Sequence, residues 1–118
     1  MSQLIPPLMR PFVIIESPYA TQAASTQAEH LVYLRRCLRD SYDAGEHPFA
    51  SHALYPFFLS DSDRQERHDG ISFGYSFWPY ASAIVFYLDY GMSPGMDAAH
   101  KRATHQDLVI FQRTIGAN

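Results

Sequence analysis

The chain has 118 residues, 47% hydrophobic and 18% charged, a balance that suits one domain spanning residues 1–118 with a buried core and leaves no length for a second. A formal net charge of −3 and a pI near 6.0 speak against a broad phosphate-tracking surface, so duplex DNA or RNA is not an expected partner. No apolar run approaches the roughly 20 residues that cross a bilayer, so no membrane partner is expected.

The opening segment "MSQLIPPLMRPFVIIES" carries an Arg and three Pro where a secretory signal needs an unbroken apolar stretch, which points to a cytoplasmic location. "RPFVIIES" is a short β-branched run bounded by Pro11 and Pro18 and reads as a buried strand. "PYATQAAST" reads as a loop. From about Ser25 the spacing turns helical: Leu31, Leu34, Leu38 and Tyr42 form a stripe, Ser25 or Thr26 caps it, and Gly45 ends it. Cys37 cannot close an internal disulfide and reads as a small packing residue, while Arg35, Arg36 and Arg39 suit a solvated helix face.

"FASHALY" is expected to be a second strand, cut off by Pro56. A charged helix or broken helix follows, entered at Asp61 or Asp63 and carrying Ile71, Phe73, Tyr75 and Trp78. "SAIVFYLD" is a continuous apolar run of the kind that sits in a sheet covered on both faces. "GMDAAHKRATHQ" reads as a helix opening at or just after Gly95, and "DLVIFQRTI" as the last strand. Strands alternating with helices build parallel sheets through crossovers, which predicts a small Rossmann-like three-layer α/β sandwich around a mainly parallel sheet of four or five strands.

Such sheets bind ligands at the carboxyl ends of their strands. Here those ends bring Glu16, Ser17, Tyr19 and Ala20 after the first strand, His52 and Tyr55 after the second, and Asp89, Ser93, Gly95 and Met96 after the third. Carboxylates accept from sugar hydroxyls, rings stack on a base, and backbone amides at a helix start hold a phosphate without a basic residue. Arg67 is a second candidate for the phosphate, and His52 is the one His of six at a predicted strand end. The His are scattered with no zinc-helix spacing and no second Cys, so no metal site and no cofactor are expected. The absence of G-x-x-x-x-G-K-[ST], G-x-G-x-x-G and G-x-S-x-G sets aside kinase, dehydrogenase and α/β-hydrolase readings.

The order of these elements, with "ESPYA" after the first strand, "SHALY" after the second, a strand of the type A-[DS]-x-h-h-h-h (h apolar) and then S-x-G-x-x-x-[E]-x-x-x-A, resembles the nucleoside 2-deoxyribosyltransferase-like superfamily over Phe12 to Arg113. The resemblance implies that Ser17 or Tyr19 contacts the sugar or the catalytic acid, and that Ser93 and Gly95 hold a phosphate. It also implies a catalytic Glu four residues after that Gly, where this chain has Ala99. Asp97 lies two residues too early, about 200° away around a helix. Without that Glu, glycosidic cleavage lacks its usual carboxylate unless Glu16, Asp89 or Glu66 replaces it.

Two functions follow as expectations. One is a protein that binds a nucleotide-like molecule, ribose plus phosphate, and sequesters or senses it as a nucleotide signal in a phage or bacterial setting. The other is an N-glycosidase or deoxyribosyltransferase acting on a nucleoside monophosphate. A structural protein that has lost the pocket is a third, duller expectation. The aromatics Phe73, Tyr75, Phe77, Trp78 and Tyr80 either fill the core or form the interface of a homo-oligomer.

Overall fold

The computed structural model describes residues 6–19 and 26–116. Its strands are β1 (Phe12–Glu16), β2 (His47–Phe49), β3 (Ala83–Tyr87) and β4 (Ile110–Arg113). Its helices are α1 (Gln27–Asp43), α2 (Ser51–Leu54), α3 (Arg64–Tyr75) and α4 (Pro94–His105). All strand pairs are parallel, in the order β2-β1-β3-β4. The protein is a small Rossmann-like α/β sandwich.

The apolar runs explain which strands are central. Val13, Ile14 and Ile15 of β1 and every residue of β3 are buried, as needed when helices cover both faces. Tyr33, Leu34 and Cys37 of α1 pack with Val13, Ile15, Val85 and Tyr87 on one face. Trp78 and Met96, Ala99 and Ala103 of α4 pack with Ile14, Ile84 and Phe86 on the other. Three layers result.

The buried stripe of α1 is His30, Tyr33, Leu34, Cys37 and Ser41, one residue out of step with the expected stripe through Leu31, Leu38 and Tyr42. Leu31 and Tyr42 are exposed. Ser41 can face inward because its hydroxyl donates to Glu46 Oε1 at 2.7 Å, so a polar residue substitutes for an apolar one in the pattern. The helix starts where expected, with a capping box: Glu29 N–H donates to Thr26 Oγ1, and Thr26 N–H donates to Glu29 Oε1.

"FASHALY" is not a strand. The second strand comes earlier, at His47–Phe49, and Ser51–Leu54 turn into helix. Pro48 is tolerated in β2 because this is an edge strand, paired only with β1. Helix α4 opens at Pro94, one residue before Gly95, capped by Ser93 Oγ accepting from Met96 N–H. In the aromatic block Trp78 is buried, Tyr75 and Phe77 pack against its cluster, and Phe73 and Tyr80 are exposed.

Topology positions the site. From β1 the chain builds β2 on one side and then returns to build β3 on the other, so the segments after β1 and β3 diverge. A crevice opens between them at this switch point.

Candidate functional site

The crevice has a volume of about 680 Å³, within the range of roughly 300–1,000 Å³ typical of small-molecule sites. Glu16, Ser17 and Tyr19 enter it from the end of β1, His52 and Tyr55 from α2 and the turn after it, and Glu66 and Arg67 from α3. Ser93, Gly95 and Met96 enter from the start of α4. Ten of the residues singled out in the sequence therefore share one cavity. Ala20 lies outside the described residues.

Asp89 does not line the crevice. It is 6% exposed, and its carboxylate accepts from Tyr33 O–H at 2.6 Å, Ile115 N–H at 3.0 Å and Gly116 N–H at 2.8 Å. These bonds tie the end of β3 to α1 and to the segment after β4.

Glu16 has the opposite surroundings. Its residue is 8% exposed, and among the described residues no hydrogen bond or ion pair reaches its carboxyl. Burial alone pushes its pKa up to about 8, so the carboxyl is predominantly protonated at neutral pH. Tyr75 faces it closely enough for the Glu16 charge to add to the burial that raises the Tyr75 phenol.

Ser17 Oγ and His52 Nε2 share a hydrogen bond of 3.0 Å. Burial pushes the His52 pKa down to about 4, against a smaller opposing contribution from the Ile15 backbone, so the imidazole is neutral near pH 7. A neutral imidazole beside a hydroxyl can accept or donate one proton according to its tautomer, which suits it to a sugar hydroxyl. The Tyr19 ring stands edge-on to His52, with centroids 6.5 Å apart.

At the start of α4 the Gly95 N–H lies in the first helical turn, where no backbone acceptor within the helix is available. A Cβ at Gly95 would meet nothing within 4 Å, and its φ is not positive. Packing and backbone conformation therefore give no reason for glycine there. Ser93 Oγ already accepts from Met96 N–H, which leaves its own proton to donate. Arg67 is exposed and makes no ion pair among the described residues, whereas Glu66 is engaged by Ser60 N–H at 2.8 Å.

Gly70, Gly74, Tyr75, Trp78 and Ala99 also line the crevice, outside the sequence-derived set of site residues. Gly70 and Gly74, four apart, are the signal for this wall: a Cβ on Gly74 would lie 3.0 Å from Ser51 Oγ, and one on Gly70 would lie 3.2 Å from Tyr55 Cβ. The two glycines let α3 close against α2 and the turn after it, and so bring Tyr75 to the cavity. Cys37 is buried, and desolvation raises its thiol to about 12, so it is no nucleophile. Among the described residues no group of three or more His, Cys, Asp or Glu is placed to hold a metal ion, and no helix is long and apolar enough to cross a membrane.

Sheet order, layers and crevice define a Rossmann-like α/β domain with a cavity of small-molecule size at its switch point. Residues 11–113 match the family described as Domain of unknown function (DUF7768), and the chain belongs to that family. No curated protein matches the chain.

Proposed function

We propose that the crevice binds a nucleotide-like small molecule, with its phosphate at the start of α4 and its ribose near Ser17 and His52. The observation that carries this reading is Gly95. Glycine is a poorer helix former than alanine, and at this first-turn position neither a positive φ nor a close neighbour calls for it. Close approach of a ligand to the Gly95 N–H accounts for it. The helix dipole, the Ser93 hydroxyl and Arg67 supply the remaining attraction for an anion in a protein of net charge −3. Ala99 offers no carboxylate for a covalent sugar intermediate, which favours capture of an intact nucleotide signal.

Melting curves with a panel of nucleoside monophosphates, ADP-ribose and cyclic nucleotides, followed by chromatography of the same samples, test this. A rise in Tm with the ligand recovered intact is expected, lost in Ser93→Ala. No rise with any of them would refute the reading. One observation favours a second outcome, cleavage of the glycosidic bond: Glu16 brings a carboxyl into the cavity from the sheet side.

A further inference from the structure

Glu16 occupies a place where an ordinary core would put an aliphatic side chain. It shares its face of β1 with Ile14, pairs in register with Phe86 of β3, and lines the crevice with Ala99 of α4 and Tyr75 of α3. The residue is 8% exposed, yet no hydrogen bond or ion pair among the described residues reaches its carboxyl. Burying an acid without a partner is unfavourable, so what enters the crevice accounts for it. An uncharged ligand group would be served equally well by a glutamine, which offers a donor and an acceptor at every pH. A carboxyl gains over an amide only by ionising, and in these surroundings it ionises when a cation arrives.

The charges along the crevice point the same way. Its lining carries three acids, Glu16, Asp61 and Glu66, against one guanidinium, Arg67. A phosphate at the start of α4 adds more negative charge, so a ligand with a positive charge of its own suits this lining better than one that is anionic throughout. Tyr19, Tyr55, Tyr75 and Trp78 line the crevice as well, and the faces of such rings attract cations.

Resting on the nucleotide reading above, we propose that the group entering beside Glu16 is a base with a fixed positive charge, such as an N-substituted pyridinium ring, and that the Glu16 carboxylate pairs with it. The ligands are thus nucleotides with a cationic base at one end and a phosphate at the other, held intact between Glu16 and the start of α4. A proton takes the place of the cation in the empty site, since burial raises the Glu16 pKa to about 8. When the ligand binds, that proton leaves to solvent and the ligand's charge meets the carboxylate.

The charged and titratable groups around Glu16 come from three helices. Tyr75 of α3 faces it, with the Arg102 guanidinium of α4 stacked 4.1 Å over the Tyr75 ring. His100 of α4 lies edge-on to Phe86 at 5.3 Å, and His52 of α2 and Glu66, Arg67 and Asp61 line the same cavity. His52 is already neutral well below pH 7, since its pKa lies at about 4.

The test is calorimetric titration of the full chain with nicotinamide mononucleotide, with its reduced, uncharged dihydro form and with AMP. It is run from pH 6.5 to 8.5 in two buffers of different ionisation enthalpy, for the wild type and Glu16→Gln. The oxidised nucleotide should bind at least about tenfold tighter than the reduced one at pH 8.5. That preference should shrink as pH falls to 6.5, because the carboxyl must then lose its proton first. At pH 7 the oxidised form should release about one more proton per molecule bound than the reduced form. In Glu16→Gln both differences should vanish. Equal binding of the two forms, or binding of the oxidised form without the extra proton release, overturns the proposal and leaves the binding reading standing; no binding of any of the three overturns both.

Discussion

Glu16 and Asp89 close the two central strands at the same end of the sheet, and both are buried acids. Asp89 is surrounded by donors from α1 and from the segment after β4, whereas Glu16 faces the cavity and no donor among the described residues reaches its carboxyl. One carboxylate holds the chain together, and the other weakens the fold where it stands. A buried acid at a strand end therefore says little by its position; its partners decide whether it serves architecture or a ligand.

The sharpest way to separate the two is to remove each. Asp89→Ala strands the Tyr33 hydroxyl and the Ile115 and Gly116 amides, and should lower stability by about 3 kcal/mol in chemical denaturation, a fall in Tm on the order of 10 °C. A change under about 0.5 kcal/mol would mean that Asp89 is no clamp.

Next in size is the pH dependence of Glu16. Its folded pKa is raised from 4.5 to about 8, so its contribution is most favourable below pH 4.5 and is lost as pH rises towards 8. His52 has the opposite sign, lowered from 6.5 to about 4, so stability is lost as pH falls from 6.5 towards 4. From pH 4.5 to 6.5 the two slopes oppose each other. From 6.5 to 8 Glu16 acts alone, and stability should fall by about 2 kcal/mol. Glu16→Gln should abolish that fall and be more stable than the wild type at pH 8; parallel profiles for the two proteins would show that Glu16 is ionised or partnered in solution.

The smallest effect is at Gly95. Since an added Cβ meets nothing, Gly95→Ala should leave the fold unchanged or stabilise it by up to about 1 kcal/mol, while reducing the nucleotide-induced rise in Tm. An undiminished rise would remove α4 from the binding site.

Much of this architecture is legible in the chain itself. The unbroken apolar runs of β1 and β3 announce a sheet covered on both faces, and the segments that follow them supply two walls of the crevice. The β2 region misleads because Phe49, Ala53, Leu54 and Tyr55 fit a strand or a helical turn equally well. A three-residue edge strand carries too little pattern to decide. The stripe of α1 is obscured by His30 and Ser41, polar residues that the fold buries.

Nothing local distinguishes Glu16 from Asp89, because the partners of Asp89 lie 56 residues before it and 26 and 27 residues after it. Tyr75 reaches the cavity through the close approach of α3 to α2 at Gly70 and Gly74, a tertiary feature that the pair of glycines only hints at.

The central claim is that a nucleotide occupies the crevice between the ends of β1 and β3. Titration of the ¹⁵N-labelled protein with AMP, followed by amide chemical shifts, tests it most directly. The account predicts the largest shifts at Gly95, Met96 and Ser17, with the Trp78 indole also responding. No shifts, or shifts confined to the smaller hollow of about 290 Å³ beside Val32, Arg36 and Tyr90, would contradict it.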